Sequence, residues 1–128
     1  MAVPLGNTIL PGYEMPMGNK ILINFDHAGP ASYVQFATPA TGGDVIRASD
    51  INKGGFDNVD TTVDTTGQIA CYAIHNLGGY GNAVTSVILV YYALVSATLG
   101  GQAQTIGTQI VAGTNLSTFS FRIQAFCV

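Results

Sequence analysis

The sequence predicts an all-β fold: a single antiparallel β-sandwich, of jelly-roll or Ig-like type, with an extended N-terminal arm. Short segments rich in β-branched and aromatic residues recur at intervals of roughly ten residues, which is typical of sandwiches. The 128 residues include 16 glycines, many of them in the turns between those segments. No segment shows a convincing 3.6-residue apolar stripe. Strands joined by tight turns therefore explain the pattern better than helices do.

The chain length suits one domain, which we divide into an arm at 1–19 and a sandwich at 20–128. The arm contains Pro4, Pro11 and Pro16, which block helix and favour extended backbone. Its apolar side chains are too many for a loose tail, so we expect the arm to lie on a neighbouring subunit or on a particle surface. The alternative is that it covers the open face of its own sandwich. The expected contact residues are Leu5, Ile9, Leu10, Tyr13 and Met15.

The first predicted strands follow the arm. In KILINFD the apolar residues Ile21, Ile23 and Phe25 alternate onto one face. HAGPAS is typical of a turn that contains His27, and YVQFA then completes a predicted hairpin.

The middle of the chain alternates between short strands and polar turns. After DVIRA, Ser49 or Asp50 is expected to cap one helical turn that ends at Gly54 or Gly55. FDNVDTTVDTTG predicts a short strand and a polar loop. QIACYAIH predicts the next strand, and NLGGYGN a loop.

The last third contains the longest apolar run, VTSVILVYYALVSA. A run that is apolar on both faces predicts a strand covered on both sides. AQTIGTQIVAGTN predicts a strand bent at a glycine. LSTFSFRIQAFCV alternates strictly, with Phe119, Phe121, Ile123, Ala125 and Cys127 inward. Across the chain, the predicted core includes Ile23, Phe25, Val34, Phe36, Ile69, Cys71, Leu89, Tyr91, Phe121 and Ile123.

The scarcity of charge limits the possible functions. Only 9% of the residues are charged, against about a quarter in typical domains, and residues 65–121 contain none. Four basic residues and a net charge of −3 argue against nucleic-acid binding. The apolar run at 84–99 is shorter than the roughly 20 residues of a membrane-spanning helix, so no membrane is expected. We expect much of the surface to be covered by copies of the chain or by other proteins.

No residue pattern indicates a catalytic, cofactor or metal site. His27, Cys71, His75 and Cys127 lack zinc-ligand spacing. The cysteines are expected to be reduced thiols that act as small hydrophobes, with a disulfide between neighbouring strands as the alternative.

An aspartate group lies at Asp57, Asp60 and Asp64, but it lacks the register of a calcium loop and predicts a solvated turn. We therefore expect a protein without enzymatic activity, metal or cofactor.

Three short motifs resemble the small β-sandwich structural proteins of tailed-phage virions. They are a glycine- and aspartate-containing stretch at 42–51, a short strand at 56–59, and an Asn-Leu-Ser strand with an arginine at 115–123. The resemblance covers about the last two thirds of the chain and leaves the proline-rich arm unmatched. It implies a capsid decoration or cement protein with no catalytic residues.

The resemblance implies that the partners are the major capsid protein, copies of this chain, or both. The chain is then a homo-oligomer on the capsid surface, made in the host cytoplasm. Two alternatives remain open: a self-assembling tail- or pilus-type subunit, whose arm completes a neighbour's sheet by strand addition, and a carbohydrate-binding β-sandwich.

Overall fold

The computed structural model describes the backbone of residues 7–37, 42–75 and 84–128, and the side chains of residues 14–37, 42–74 and 84–128. Within these residues the chain forms nine strands and one 3₁₀ turn at Ala48–Ile51. In chain order the strands are β1 (Asn7–Met17), β2 (Lys20–Ala28), β3 (Asp44–Arg47), β4 (Phe56–Asp64), β5 (Ile69–His75), β6 (Ser86–Ala93), β7 (Ala97–Leu99), β8 (Gln102–Gln104) and β9 (Ser120–Cys127).

The strands form two main antiparallel sheets that pack face to face. The four-stranded sheet has the order β1-β2-β9-β4, and the three-stranded sheet has the order β3-β6-β5. Strands β7 and β8 form a separate small hairpin. The inner faces of the two sheets share one hydrophobic core. The predicted all-β antiparallel sandwich is confirmed.

The central pair of the four-stranded sheet follows the predicted alternation. Phe25 lies opposite Ile123 and Ile23 lies opposite Ala125, and all four side chains are buried. On β9, Phe121 is 0% exposed, whereas the side chains between the buried positions point outward. Complete burial of a large apolar side chain contributes about 1.5–3 kcal/mol, so this pair of strands anchors the core.

Strand β6 is buried on both faces, as its continuous apolar sequence predicts. Leu89 and Tyr91 point into the core, and Ile88 and Val90, on the opposite face, are buried as well. Gly43 lies over that opposite face, where an added Cβ would come within 2.3 Å of Ile88 Cγ2.

The predicted hairpin of β2 with residues 33–37 is wrong. Both edges of β2 are occupied, by β1 and by β9, so the later segment cannot pair with it. Residues 33–37 instead run beside 109–114, where the Tyr33 amide donates to the Thr114 carbonyl at 2.9 Å. This path reverses the predicted faces: Tyr33 is buried, whereas Val34, predicted for the core, is 61% exposed.

Two further local predictions need correction. The helical turn exists, but its N-cap is Arg47, whose amide donates to Asp50 Oδ2 at 3.0 Å, and it ends at Asn52 with φ 62°. The predicted strand over AQTIGTQIVAGTN is reduced to β8. Beyond β8 the chain turns, and the Gly107 amide donates to the carbonyl of Ala93.

The proline-containing segment is extended and belongs to the chain's own sheet. Strand β1 pairs with β2 in antiparallel register, with Met17 opposite Lys20 and Glu14 opposite Ile23. The register shifts between Ile9 and Glu14, where residues 10–13 of β1 stand against Asn24 alone, an irregularity that we refer to as the bulge. Residues 7–17 therefore form the edge strand of the four-stranded sheet.

Candidate functional site

The structure describes the side chain of one predicted contact residue of the arm. Met15 is 55% exposed and, by its register, shares the outer face of the four-stranded sheet with Leu22. Leu5 lies outside the described residues. Ile9, Leu10 and Tyr13 belong to β1, but their side chains lie outside the described ones.

The outer face around Met15 is only partly apolar. Leu22 pairs with Met15 on one side and with Phe126 on the other, which forms an apolar row across three strands. Next to this row, Lys20 Nζ lies 2.5 Å from Asp57 Oδ2. At the opposite end of the face, Arg122 Nε lies 3.2 Å from Asp26 Oδ1. Charged pairs therefore flank the row.

Another apolar surface lies on the outer face of the three-stranded sheet. It is a groove of about 520 Å³, and no acidic or basic side chain is among its described lining residues. Tyr72, on β5, is 57% exposed in it. The lining residues are Phe36, Ala70, Tyr72, Ile74, Val90, Tyr92, Ala93, Leu94 and Gly107.

The floor of the groove follows from the pairing of β5 with β6. Ala70 lies opposite Tyr92 and Tyr72 lies opposite Val90, so small and large side chains alternate across the two strands. The Tyr72 and Tyr92 rings meet edge to face, with centroids 5.5 Å apart and an interplanar angle of 81°. The two rings stand nearly at right angles, so they form a notch and not a flat stacking platform.

Gln109 positions one wall of the groove. Its Oε1 accepts hydrogen bonds from the Phe36 amide at 2.6 Å and from the Tyr33 hydroxyl at 2.7 Å. Its Nε2 donates to the Phe36 carbonyl at 3.1 Å. One side-chain amide thus satisfies both backbone groups of Phe36 and holds that residue beside the sheet.

A second cluster, of polar side chains, bridges the two sheets inside the sandwich. His27 Nε2 lies 2.6 Å from Asp44 Oδ2, and the Tyr91 hydroxyl donates to the same oxygen at 2.7 Å. Burial, with the nearby Asp44 charge, raises the pKa of Tyr91 well above its usual value, so its hydroxyl remains a neutral donor. His27 belongs to β2 and is buried, which corrects its predicted place in a turn.

The sequence predicted a solvated turn for the aspartate group, and this prediction is wrong. Asp57 and Asp60 lie on β4, and Asp64 is only 2% exposed at the strand's end. Asp64 Oδ1 accepts from the amides of Gln68 at 2.7 Å and Ile69 at 2.8 Å, and Oδ2 accepts from the Thr66 amide and hydroxyl. Burial raises the pKa of this carboxyl, but these hydrogen bonds outweigh it and the net pKa is lowered. Asp64 therefore caps the turn between the sheets.

Both cysteines are free thiols in the core, as predicted. Burial raises the pKa of Cys71 to about 12 and that of Cys127 to about 11, so neither is a thiolate at neutral pH. In the described part of the chain, no group of three or more His, Cys, Asp or Glu residues is arranged to hold a metal ion.

The apolar groove is therefore the candidate functional site. The sequence predicted the run of β6 that forms its floor, but not the wall built from Phe36 and Gln109. In the ranges that the structure describes, no helix is long and apolar enough to span a membrane. Comparison of the chain with protein-family models, curated proteins and solved structures finds no match.

Proposed function

We propose that this chain is a non-enzymatic structural protein of a virion, of the capsid decoration or cement type, and that it binds a protein lattice through the apolar groove. The observation that carries the proposal is the exposed aromatic notch of Tyr72 and Tyr92 in a groove whose described lining residues carry no charge. Exposed apolar patches mark interaction sites, and aromatic residues are enriched at protein–protein interfaces, so the two rings of the notch favour a protein partner.

The chemistry of the groove favours a protein partner over a sugar. A carbohydrate site needs side chains that hydrogen-bond to hydroxyl groups beside a flat aromatic platform. Among the described lining residues, only the two tyrosines have polar side-chain groups, and their rings stand at right angles. An apolar side chain from a partner fills such a notch better than a sugar ring does.

The polar clusters support a structural role. Asp44 and Asp64 are satisfied by hydrogen bonds within the protein. Within the described side chains, no buried polar nitrogen or oxygen is left without a hydrogen-bond partner. Such complete satisfaction is typical of groups that hold a fold together. The virion context comes from the resemblance of the motifs at 42–51, 56–59 and 115–123.

Particles from the source of this gene provide the direct test. We expect the chain to be found in purified particles at a fixed ratio to the major capsid protein. Tyr72→Glu places a charge in the notch, and we expect it to reduce rebinding to particles that lack the chain by at least about tenfold, since burying an unpaired charge is costly.

Val63→Glu is the matched control, because Val63 is exposed on β4 in the other sheet. We expect this variant to bind like the parent chain. Absence of the chain from particles, or equal rebinding of a folded Tyr72→Glu variant, would contradict the proposal.

A further inference from the structure

The outer edge of β1 has an unusual distribution of hydrogen-bond donors. Within the part of the chain that the structure describes, β1 pairs with β2 on one side only. An open edge strand normally presents a row of N–H and C=O groups to which another strand can add. In β1, Pro16 interrupts that row.

The pairing register shows which way the backbone of Pro16 faces. Met17 and Lys20 close a two-residue turn in which Gly18 has φ 65°, as expected for a type II′ hairpin. The closing pair of such a hairpin is hydrogen-bonded, so the next pair, Pro16 and Ile21, directs its backbone groups away from the partner strand. The nitrogen of Pro16 therefore faces the outer edge, where it has no hydrogen to donate.

Two other features weaken the same edge. From Glu14 to Met17, alternation leaves only Glu14 with an outward N–H, and its side chain pairs with Lys53 Nζ at 2.5 Å. Just before Glu14, the bulge breaks the regular spacing that an added strand requires. Charged residues, proline and bulges are the devices by which natural sheets block edge pairing.

We propose that Pro16, with the bulge and the Glu14–Lys53 pair, closes this edge of the four-stranded sheet to strand addition. Copies of the chain and extended peptide partners are thereby excluded from β1, so any association uses other surfaces of the molecule. This goes beyond the proposed function, because it separates a face-binding protein from a subunit that polymerises through its N-terminal strand. It does not depend on the identity of the partner.

The test restores the missing donor. Pro16→Val supplies an outward N–H and a residue that favours strands. We expect its weight-average mass in sedimentation equilibrium to rise with concentration to roughly twice that of the parent, as for a two-fold edge-to-edge dimer. In hydrogen exchange, the amide introduced at position 16 should become protected as concentration rises.

Met15→Val is the matched control. It also introduces a valine on β1, but its N–H already faces β2 in the pair with Leu22, so no outward donor is gained. We expect parent-like association. Equal association of both variants, or no gain from a folded Pro16→Val, would overturn the proposal.

A measurement on the parent chain tests the proposal without any substitution. The Glu14 amide faces outward by the same register, so we expect it to exchange at a rate independent of protein concentration. Concentration-dependent protection of that amide would show that copies pair along β1 and would overturn the proposal even if Pro16→Val does not fold.

Discussion

The two outer faces of this sandwich differ in the charged residues that they carry. On the four-stranded sheet, Lys20 pairs with Asp57 and Arg122 pairs with Asp26, and both pairs are partly exposed. On the three-stranded sheet, the described residues of the groove carry no charge, and Tyr72 stands exposed among them. The first face combines two charged pairs with an apolar row, whereas the second combines an uncharged groove with Arg47, which is exposed on β3 and is not among the described lining residues of the groove.

The strand sequences explain this difference. Strand β9 alternates between buried apolar residues and outward residues that are polar except for Phe126, so its sheet has one buried face and one largely solvent-exposed face. Strand β6 is apolar at consecutive positions, and its outward residues Ile88 and Val90 are buried under neighbouring groups. From this difference we expect the shared core, the turn between the sheets and the two outer faces to contribute to stability in decreasing order.

The largest effect is expected where both sheets share the core. Phe121→Ala should lower the free energy of unfolding by about 3–5 kcal/mol, because Phe121 is fully buried and its removal leaves a cavity. Phe126 is half-buried on the outer face of the same strand, so Phe126→Ala should lower the free energy of unfolding clearly less. Urea unfolding of both variants measures the difference. A loss below about 1 kcal/mol for Phe121→Ala would mean that the two faces of β9 are wrongly assigned.

The next effect concerns the turn that joins the two sheets. Asp64→Asn should lower the free energy of unfolding by about 1–3 kcal/mol. The reason is that an amide nitrogen then faces backbone N–H groups whose hydrogen bonds the carboxylate had accepted. The folded pKa of Asp64 lies below its ordinary value of 3.8, so the charged carboxylate stabilises the fold above that pH. This stabilisation disappears as the pH falls through the lower, folded pKa.

The parent should therefore lose stability more steeply than Asp64→Asn in the acid range below about pH 4. Thermal unfolding at a series of pH values measures both slopes. Parallel slopes would show that Asp64 does not contribute through its charge.

How far the sequence predicted this molecule depended on the range of the interactions. Alternation within one strand is local, and it correctly placed Phe121 and Ile123 in the core and β6 between two covered faces. The path of residues 33–37 depends on Gln109, far along the chain, and nothing in YVQFA signals that contact. The pairing of His27 with Asp44 is likewise long-range, and it was not predicted.

A smaller effect is expected in the groove. Tyr72→Ser removes one ring of the edge-to-face pair with Tyr92 and should lower stability by only about 0.5–1.5 kcal/mol. The same change should sharply reduce binding of an environment-sensitive apolar dye to the folded protein. Val63→Ser, on the four-stranded sheet, should leave dye binding unchanged. Equal dye binding by the parent and Tyr72→Ser would contradict the expectation that the groove, and not the four-stranded sheet, is the apolar binding surface.

The smallest effect is expected at one of the two ion pairs on the outer face of the four-stranded sheet. Arg122→Gln breaks the contact with Asp26, in which both side chains are substantially exposed. Exposed pairs contribute only about 0.2–1 kcal/mol, because water and salt screen the charges and both side chains lose freedom when they pair. The loss of stability in Arg122→Gln should become smaller as salt is added, whereas the loss in Tyr72→Ser should not. Denaturant unfolding of both variants at low and high salt measures this contrast, and a salt-independent loss at Arg122 would show that its aliphatic stem and not its charge stabilises this face.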